Sequence, residues 1–333
     1  MGCACESHEQ DNIEIVKFDD KTKDPKIISK IISIQSLARG HLTRKQIKSI
    51  VEDEEKSNFT SIQKDIRTKN SIIEEEQITK ADINYLFNKY PPLNDDIEVE
   101  LLETKEIENG ILYYGEWDSK GNKHGRGIKL WPNGTKYIGY LINNKANIRG
   151  KLVYNDGDIY EGEWNDDKEE GFGKYTHIDG AIYEGYWKDD KLDGKGKEIW
   201  PDGNSYEGDY VEGNKNGHGK FIWSDGSVYE GDFVNNNIDG KGIYKWPDGR
   251  HYEGSWKENQ MHGYGVFSWP DGRMYKGEYK NDKKEGYGVF RWKSGEEYRG
   301  LWKNGKQNGE GEMYYPDKNK TEKHTWKNGK KII

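Results

Sequence analysis

Tyrosine returns at positions 113, 137, 160, 183, 206, 229, 252, 275 and 298. The first interval is 24 residues and every later one is 23. A fixed period of this size means that one supersecondary unit is written repeatedly and that each copy completes its core on its neighbours. Two residues after each Tyr stands a glycine, from Gly115 to Gly300, and two further on a large apolar residue: Trp117, Leu141, Trp164, Trp187, Tyr210, Phe233, Trp256, Tyr279 and Trp302. The spacing has period two, so Tyr, Gly and Trp share one face of a β-strand.

Each copy continues through a polar stretch to a second glycine pair, such as Gly171/Gly173 or Gly194/Gly196, although Ile148 takes the first place in the second copy. A ring residue and an Asp-Gly dipeptide or its relative follow, as in Trp200 with Asp202-Gly203. Asp-Gly permits positive φ and closes a tight turn, so each copy reads as a β-hairpin. Glycine inside a strand normally weakens it. Here its purpose is room: a ring can lie flat on a neighbouring strand only where side chains are missing. An isolated hairpin is marginal in water, whereas stacked copies share each ring-on-glycine contact. Nine copies of two strands give a ribbon of about 85 Å.

Composition supports a structured chain. Mean hydropathy is −1.15 and charged residues reach 34%, which suggests disorder. Yet aromatic residues are 13%, and all 12 Trp lie between Trp117 and Trp326. Net charge is −8; residues 1–112 hold 16 Lys+Arg against 23 Asp+Glu, and the remainder 36 against 37. Neither part has the basic field of a nucleic-acid-binding domain. No stretch is long and apolar enough to span a membrane, and a cytosolic face is expected.

The pattern over 113–315 resembles the MORN (membrane occupation and recognition nexus) repeat. The resemblance implies a mainly β fold, an elongated single-layer antiparallel sheet of repeated hairpins, here preceded by an α-helical N-terminal segment. It also implies scaffolding or membrane-proximal adaptor roles. The second copy departs from the pattern at Leu141 and Ile148, so a local distortion is expected there. The chain divides into residues 1–24, a flexible, acylated start; 25–56, a basic helix; 57–96, a linker with a short helix; 97–320, the array; and 321–333, a degenerate cap.

Residues 21–50 carry eight Lys+Arg and one acid. Apolar residues from Ile27 to Ile50 recur at roughly helical spacing, the signature of a calmodulin-target or membrane-surface helix. Within it "IQSLARGHLTRKQI" resembles the IQ motif, a calmodulin-binding helix, through Ile34, Gln35, Arg39, Gly40, Arg44 and Ile47. The resemblance implies that Ile34 enters an apolar pocket of a calmodulin lobe, that Gln35 bonds a lobe linker, and that Arg39 and Arg44 meet acidic surface. The competing reading is a helix packed on the sheet with its basic side solvated. Further on, Ile83, Leu86, Phe87 and Tyr90 lie on one side of a second helix before Pro91-Pro92, a docking face. The terminus "MGCACES" resembles a dual-acylation signal on Gly2, Cys3 and Cys5, with Glu6 at the usual Ser/Thr position; two lipids anchor durably where one does not.

The sequence holds no H-E-x-x-H, no Cys/His ligand set and no P-loop. Recurring Asp residues sit at turns, and the G-x-G pairs lack the βαβ setting of a dinucleotide site. No cofactor, metal or catalytic group is expected. The expected function is a non-enzymatic, membrane-proximal scaffold that binds calmodulin or a related EF-hand protein through the helix, and cytoskeletal or axonemal proteins through the sheet. We read Trp200, Trp223, Trp246, Trp269 and Trp292 as the partner surface. The expected location is a membrane face, the cell cortex, the cytoskeleton or a cilium. The rival reading is a regulatory module for a phosphatidylinositol-phosphate kinase, or a phosphoinositide-binding adaptor using local patches such as Lys283-Lys284. Pairing into homodimers is left open.

Overall fold

The computed structural model describes residues 77–332. The expected IQ helix with Ile34, Gln35, Arg39, Gly40, Arg44 and Ile47 lies outside the described residues, as do Gly2, Cys3 and Cys5. The described chain forms helix α1 (Lys80–Lys89) and one antiparallel sheet of 21 strands. The sheet opens with β1 (Val99–Glu106), β2 (Leu112–Asp118), β3 (Lys123–Leu130), β4 (Lys136–Ile142) and β5 (Lys145–Val153). It closes with β19 (Lys306–Tyr315), β20 (Lys320–Lys327) and the two-residue β21 (Lys330–Lys331). Each strand pairs with its neighbours in sequence, so the sheet is a simple meander whose strands stack over about 100 Å.

Register follows from the glycines. Gly115 faces Gly127, Gly127 faces Gly139, and Gly139 faces Gly150. The row continues through Gly162, Gly173 and Gly185 to Gly300 and Gly311. It stops where Gly311 meets His324 in β20. There Trp326 still lies edge-on to Tyr298, at 5.5 Å between ring centroids. The last strand thus supplies one more ring to close the ladder.

The two glycines of each second pair do different jobs. Gly173 needs no special backbone, but a β-carbon there would stand 2.5 Å from the Tyr160 hydroxyl. Gly171, two residues earlier, has φ +67 at a bulge where the register shifts. Packing of a ring on glycine therefore explains only the second member. Ile148 occupies the bulge position of the second copy at φ +61. The expected distortion is confined to this backbone, because β4 and β5 keep the glycine register.

Two kinds of turn alternate along the ribbon edges. One is the Asp-Gly kind, in which Gly203 N–H donates to Trp200 O at 3.0 Å. The other is a two-residue turn with both φ positive, as at Asp189 and Asp190, the geometry that matches strand twist. These second turns also join one copy to the next. Asp190 Oδ1 accepts the Glu169 N–H at 2.7 Å, and Asp190 N–H donates to Glu169 O at 3.1 Å. Asn236, Asn259 and Asp282 repeat the side-chain bond, each to an amide 21 residues earlier.

Helix α1 lies on the face opposite the stacked rings. Thr79 and Asp82 form a capping box at its start. Leu86 and Tyr90 are buried against Ile128, Ile138 and Tyr140, with Ile83 and Phe87 packed beside them. Ion pairs Asp82–Lys136 (2.7 Å) and Lys89–Glu161 (2.9 Å), and a hydrogen bond from Tyr140 Oη to Pro91 O (2.6 Å), fasten the segment. The helix straddles β3 and β4, the junction of the first and second repeats.

Candidate interaction surface

One face of the sheet is a continuous aromatic layer. Tyr160 sits between Trp164 and Trp187, edge-on to both, at 5.3 and 5.1 Å. Its hydroxyl donates to Glu163 O at 2.8 Å, and Trp187 Nε1 donates to Gly173 O at 3.3 Å. Tyr183, Tyr206, Tyr229, Tyr252 and Tyr275 make the same two ring contacts in their copies. These phenols lie in a dry layer: burial pushes the Tyr298 hydroxyl up to about 12.

Beside this core, at the Asp-Gly edge, the register assembles a second row. Trp200, Phe221, Trp223, Tyr244, Trp246, Phe267, Trp269, Phe290 and Trp292 follow one another at 4.4–5.8 Å. The five tryptophans named from sequence are all in it, half-buried, one per two strands and so about 9.6 Å apart. The Arg250 and Arg273 guanidinium groups lie over Trp246 and Trp269 at 5.5 and 5.4 Å.

Some charges sit inside the layer. Lys215 Nζ is 2.7 Å from Glu198 Oε2, which also accepts the Tyr210 hydroxyl at 3.0 Å; Glu198 is buried and Lys215 partly so. Lys284 is buried among Trp269, Tyr275, Phe290 and Trp302, at 4.5–5.5 Å from the ring centres. Alternation puts it at the inward position that Leu192, Ile238 and Met261 hold in other copies. Lys283-Lys284 is therefore no headgroup patch, since only Lys283 reaches solvent. Sequence gave no signal for this, because charges are ordinarily read as solvated.

Recurring acids are bound to backbone. Asp209 and Asp232 accept the bulge amides of His218 and Lys241 at 2.9 and 2.8 Å. Asp239 and Glu285 accept the turn amides of Glu258 and Asn304. Among the described residues no group of three or more His, Cys, Asp or Glu could hold a metal ion. No described helix is long and apolar enough to cross a membrane.

A family model described as the MORN repeat matches residues 113–136, 160–182, 183–205, 206–228, 229–249, 252–272, 275–297 and 298–320, more than half of the chain. The chain belongs to the MORN-repeat family. The unmatched copy, 137–159, holds Leu141 and Ile148, yet it folds as the MORN hairpin β4–β5 in the common register. No curated protein matches the chain. Among solved structures, a mutant TCP10 domain of Danio rerio CPAP is similar at 12% identity and TM-score 0.35, over 60% of this chain and 94% of that one. The TCP10c domain of Drosophila melanogaster Sas-4 is similar at 16% and 0.26, over 54% and 98%. A streptogramin B lyase follows at 13% and 0.14, over 69% and 87%. Scores of this size carry no argument about the MORN chain.

Proposed function

We propose that this MORN protein is a non-enzymatic scaffold at a membrane face. Its N-terminal acyl groups hold it there, its IQ segment recruits calmodulin or a related EF-hand protein, and its sheet carries cytoskeletal or axonemal partners. The observation that supports the reading best is the row of half-buried tryptophans from Trp200 to Trp292, which repeats one amphipathic ring at a constant step. Rings of this kind give contact area at low conformational cost, as interface anchors do. The recurring acids support a non-catalytic role, because their oxygens are engaged with backbone amides.

Two measurements on the full chain test this reading. Calmodulin binding is followed by titration calorimetry with and without Ca²⁺, comparing the native chain with Ile34→Glu/Arg39→Glu. Membrane recovery and myristate-analogue labelling are followed in cells, comparing the native chain with Gly2→Ala. The reading expects the double variant to lose calmodulin and Gly2→Ala to leave the membrane fraction. Full retention of both properties would overturn it.

A further inference from the structure

The docking of α1 shows what the face opposite the rings accepts. The helix lays Leu86 and Tyr90, flanked by Ile83 and Phe87, on Ile128, Ile138 and Tyr140, and sets Lys89 on Glu161. In this patch Arg126 faces Tyr140 and Ile128 faces Ile138 across the strands. Arg126 stacks on Phe87 at 4.7 Å. Seven repeats later the same positions are Tyr287 facing Leu301 and Val289 facing Arg299. One repeat before that stand Tyr264 and Val266. Nothing in the described residues covers this second patch: Tyr264, Tyr287 and Leu301 are 51%, 55% and 45% exposed. A lone exposed apolar residue is ordinary, but a row of them in equivalent positions marks a contact surface.

We propose that this patch, on the opposite face of the last repeats, docks an amphipathic helix of a partner protein, with Lys or Arg beside its apolar stripe. Three observations choose that occupant. The equivalent positions near the other end of the sheet already hold a helix. From the strand of Tyr264 to that of Leu301 are three strand spacings, about 14 Å, and a ten-residue helix is about 15 Å long. The charge beside the patch is also complementary: exposed Glu278 faces Tyr264 and exposed Glu253 faces Val266, against Lys276, while the exposed Lys257, Lys280 and Lys303 of this face lie farther off, next to the two-residue turns. The neighbouring Arg299 is held by Glu297, its Nη2 2.6 Å from Oε2. The contact uses the helix-in-groove mode, read by anchors at i, i+3, i+4 and i+7.

The inference rests on the scaffold reading only in taking the sheet to carry partners, and it is tested without cells. Fluorescence anisotropy follows binding to the full chain of a labelled helical peptide that has α1's Ile-x-x-Leu-Phe-x-x-Tyr stripe and lysines at the flanking positions. A scrambled peptide of equal composition and an extended proline-rich peptide are the comparisons. The expected result is saturable binding of the helical peptide alone, weakened by salt and by at least about tenfold in Tyr287→Ser/Leu301→Ser. It should be unchanged in Ile178→Ser, an exposed apolar residue in an Asp-Gly turn away from the patch. Equal binding of either comparison peptide, absence of saturable binding, or indifference to Tyr287→Ser/Leu301→Ser would overturn the proposal. A chain that bound the helix in solution but never reached a membrane would contradict the scaffold reading and leave this inference standing.

Discussion

The hydroxyl of Tyr160 lies 2.5 Å from where a β-carbon on Gly173 would be, and the ring fills the space that the missing side chain leaves. Gly173→Ala forces the ring out from between Trp164 and Trp187. Overpacking of this kind costs up to about 3 kcal/mol. The expected outcome is a lower denaturation midpoint together with a change in near-ultraviolet circular dichroism from the displaced ring. Gly272→Ala is the comparison, since a β-carbon there meets nothing within 4 Å and only its φ of +96 opposes the change. It should leave the aromatic spectrum unchanged.

Ile148 holds a left-handed backbone that other copies give to glycine. A β-branched residue is strained there, and its side chain is 40% exposed, so little packing offsets the strain. Ile148→Gly is expected to stabilise the sheet by about 1 kcal/mol after the entropy of glycine is subtracted. Urea denaturation measures it.

Lys215 and Glu198 occupy inward positions that are apolar in neighbouring copies: Leu192 and Ile238 for the lysine, Phe221 and Tyr244 for the glutamate. Removing one partner leaves a buried charge, so Lys215→Met should cost about 3–5 kcal/mol. Lys215→Ile/Glu198→Phe should recover most of that loss, since the site then resembles its neighbours. The Tyr210 hydroxyl loses its acceptor in the pair, as the Tyr279 hydroxyl, buried with no hydrogen-bond partner, already does in its copy. A double-mutant cycle on denaturation midpoints measures the coupling.

Asp282 fills a turn position that is Asn in three other copies, Asn144, Asn236 and Asn259, and its Oδ1 accepts the Met261 amide at 2.8 Å. Burial raises its carboxyl above the usual range, and the hydrogen bond from Met261 opposes this. A raised folded-state value favours the protonated form, so this contribution is present at low pH and is lost as pH rises through the folded value. Asp282→Asn keeps the hydrogen bond without the charge. Its melting temperature should exceed that of the native chain at pH 7, and the gap should narrow toward pH 3.

The alternation of Tyr, Gly and Trp made the sheet legible before any coordinates, because period two, a constant interval and glycine beneath each ring agree with one another. Turn chemistry was only half legible. Asp-Gly announces itself, whereas pairs such as Asp189-Asp190 read as polar loop until both are seen at positive φ. The two duties of glycine were also hidden: Gly171 and Gly173 look alike in sequence, but one serves a bulge and the other a ring. Of the proposed partner surface, the five tryptophans fell in one row as the repeat required. The buried Lys284 and the uncovered patch at Tyr287 and Leu301 were not legible, because both depend on which side of the sheet a residue takes in a register set by the bulges.

Native-state hydrogen exchange on the full chain tests the central claim, that rings over glycine join nine hairpins into one sheet. Strands β4 and β5, whose copy departs most from the pattern, should be protected to the same degree as the hairpins on either side. Exchange of residues 137–153 at the rate of an unfolded chain, with protection retained on both sides, would contradict it.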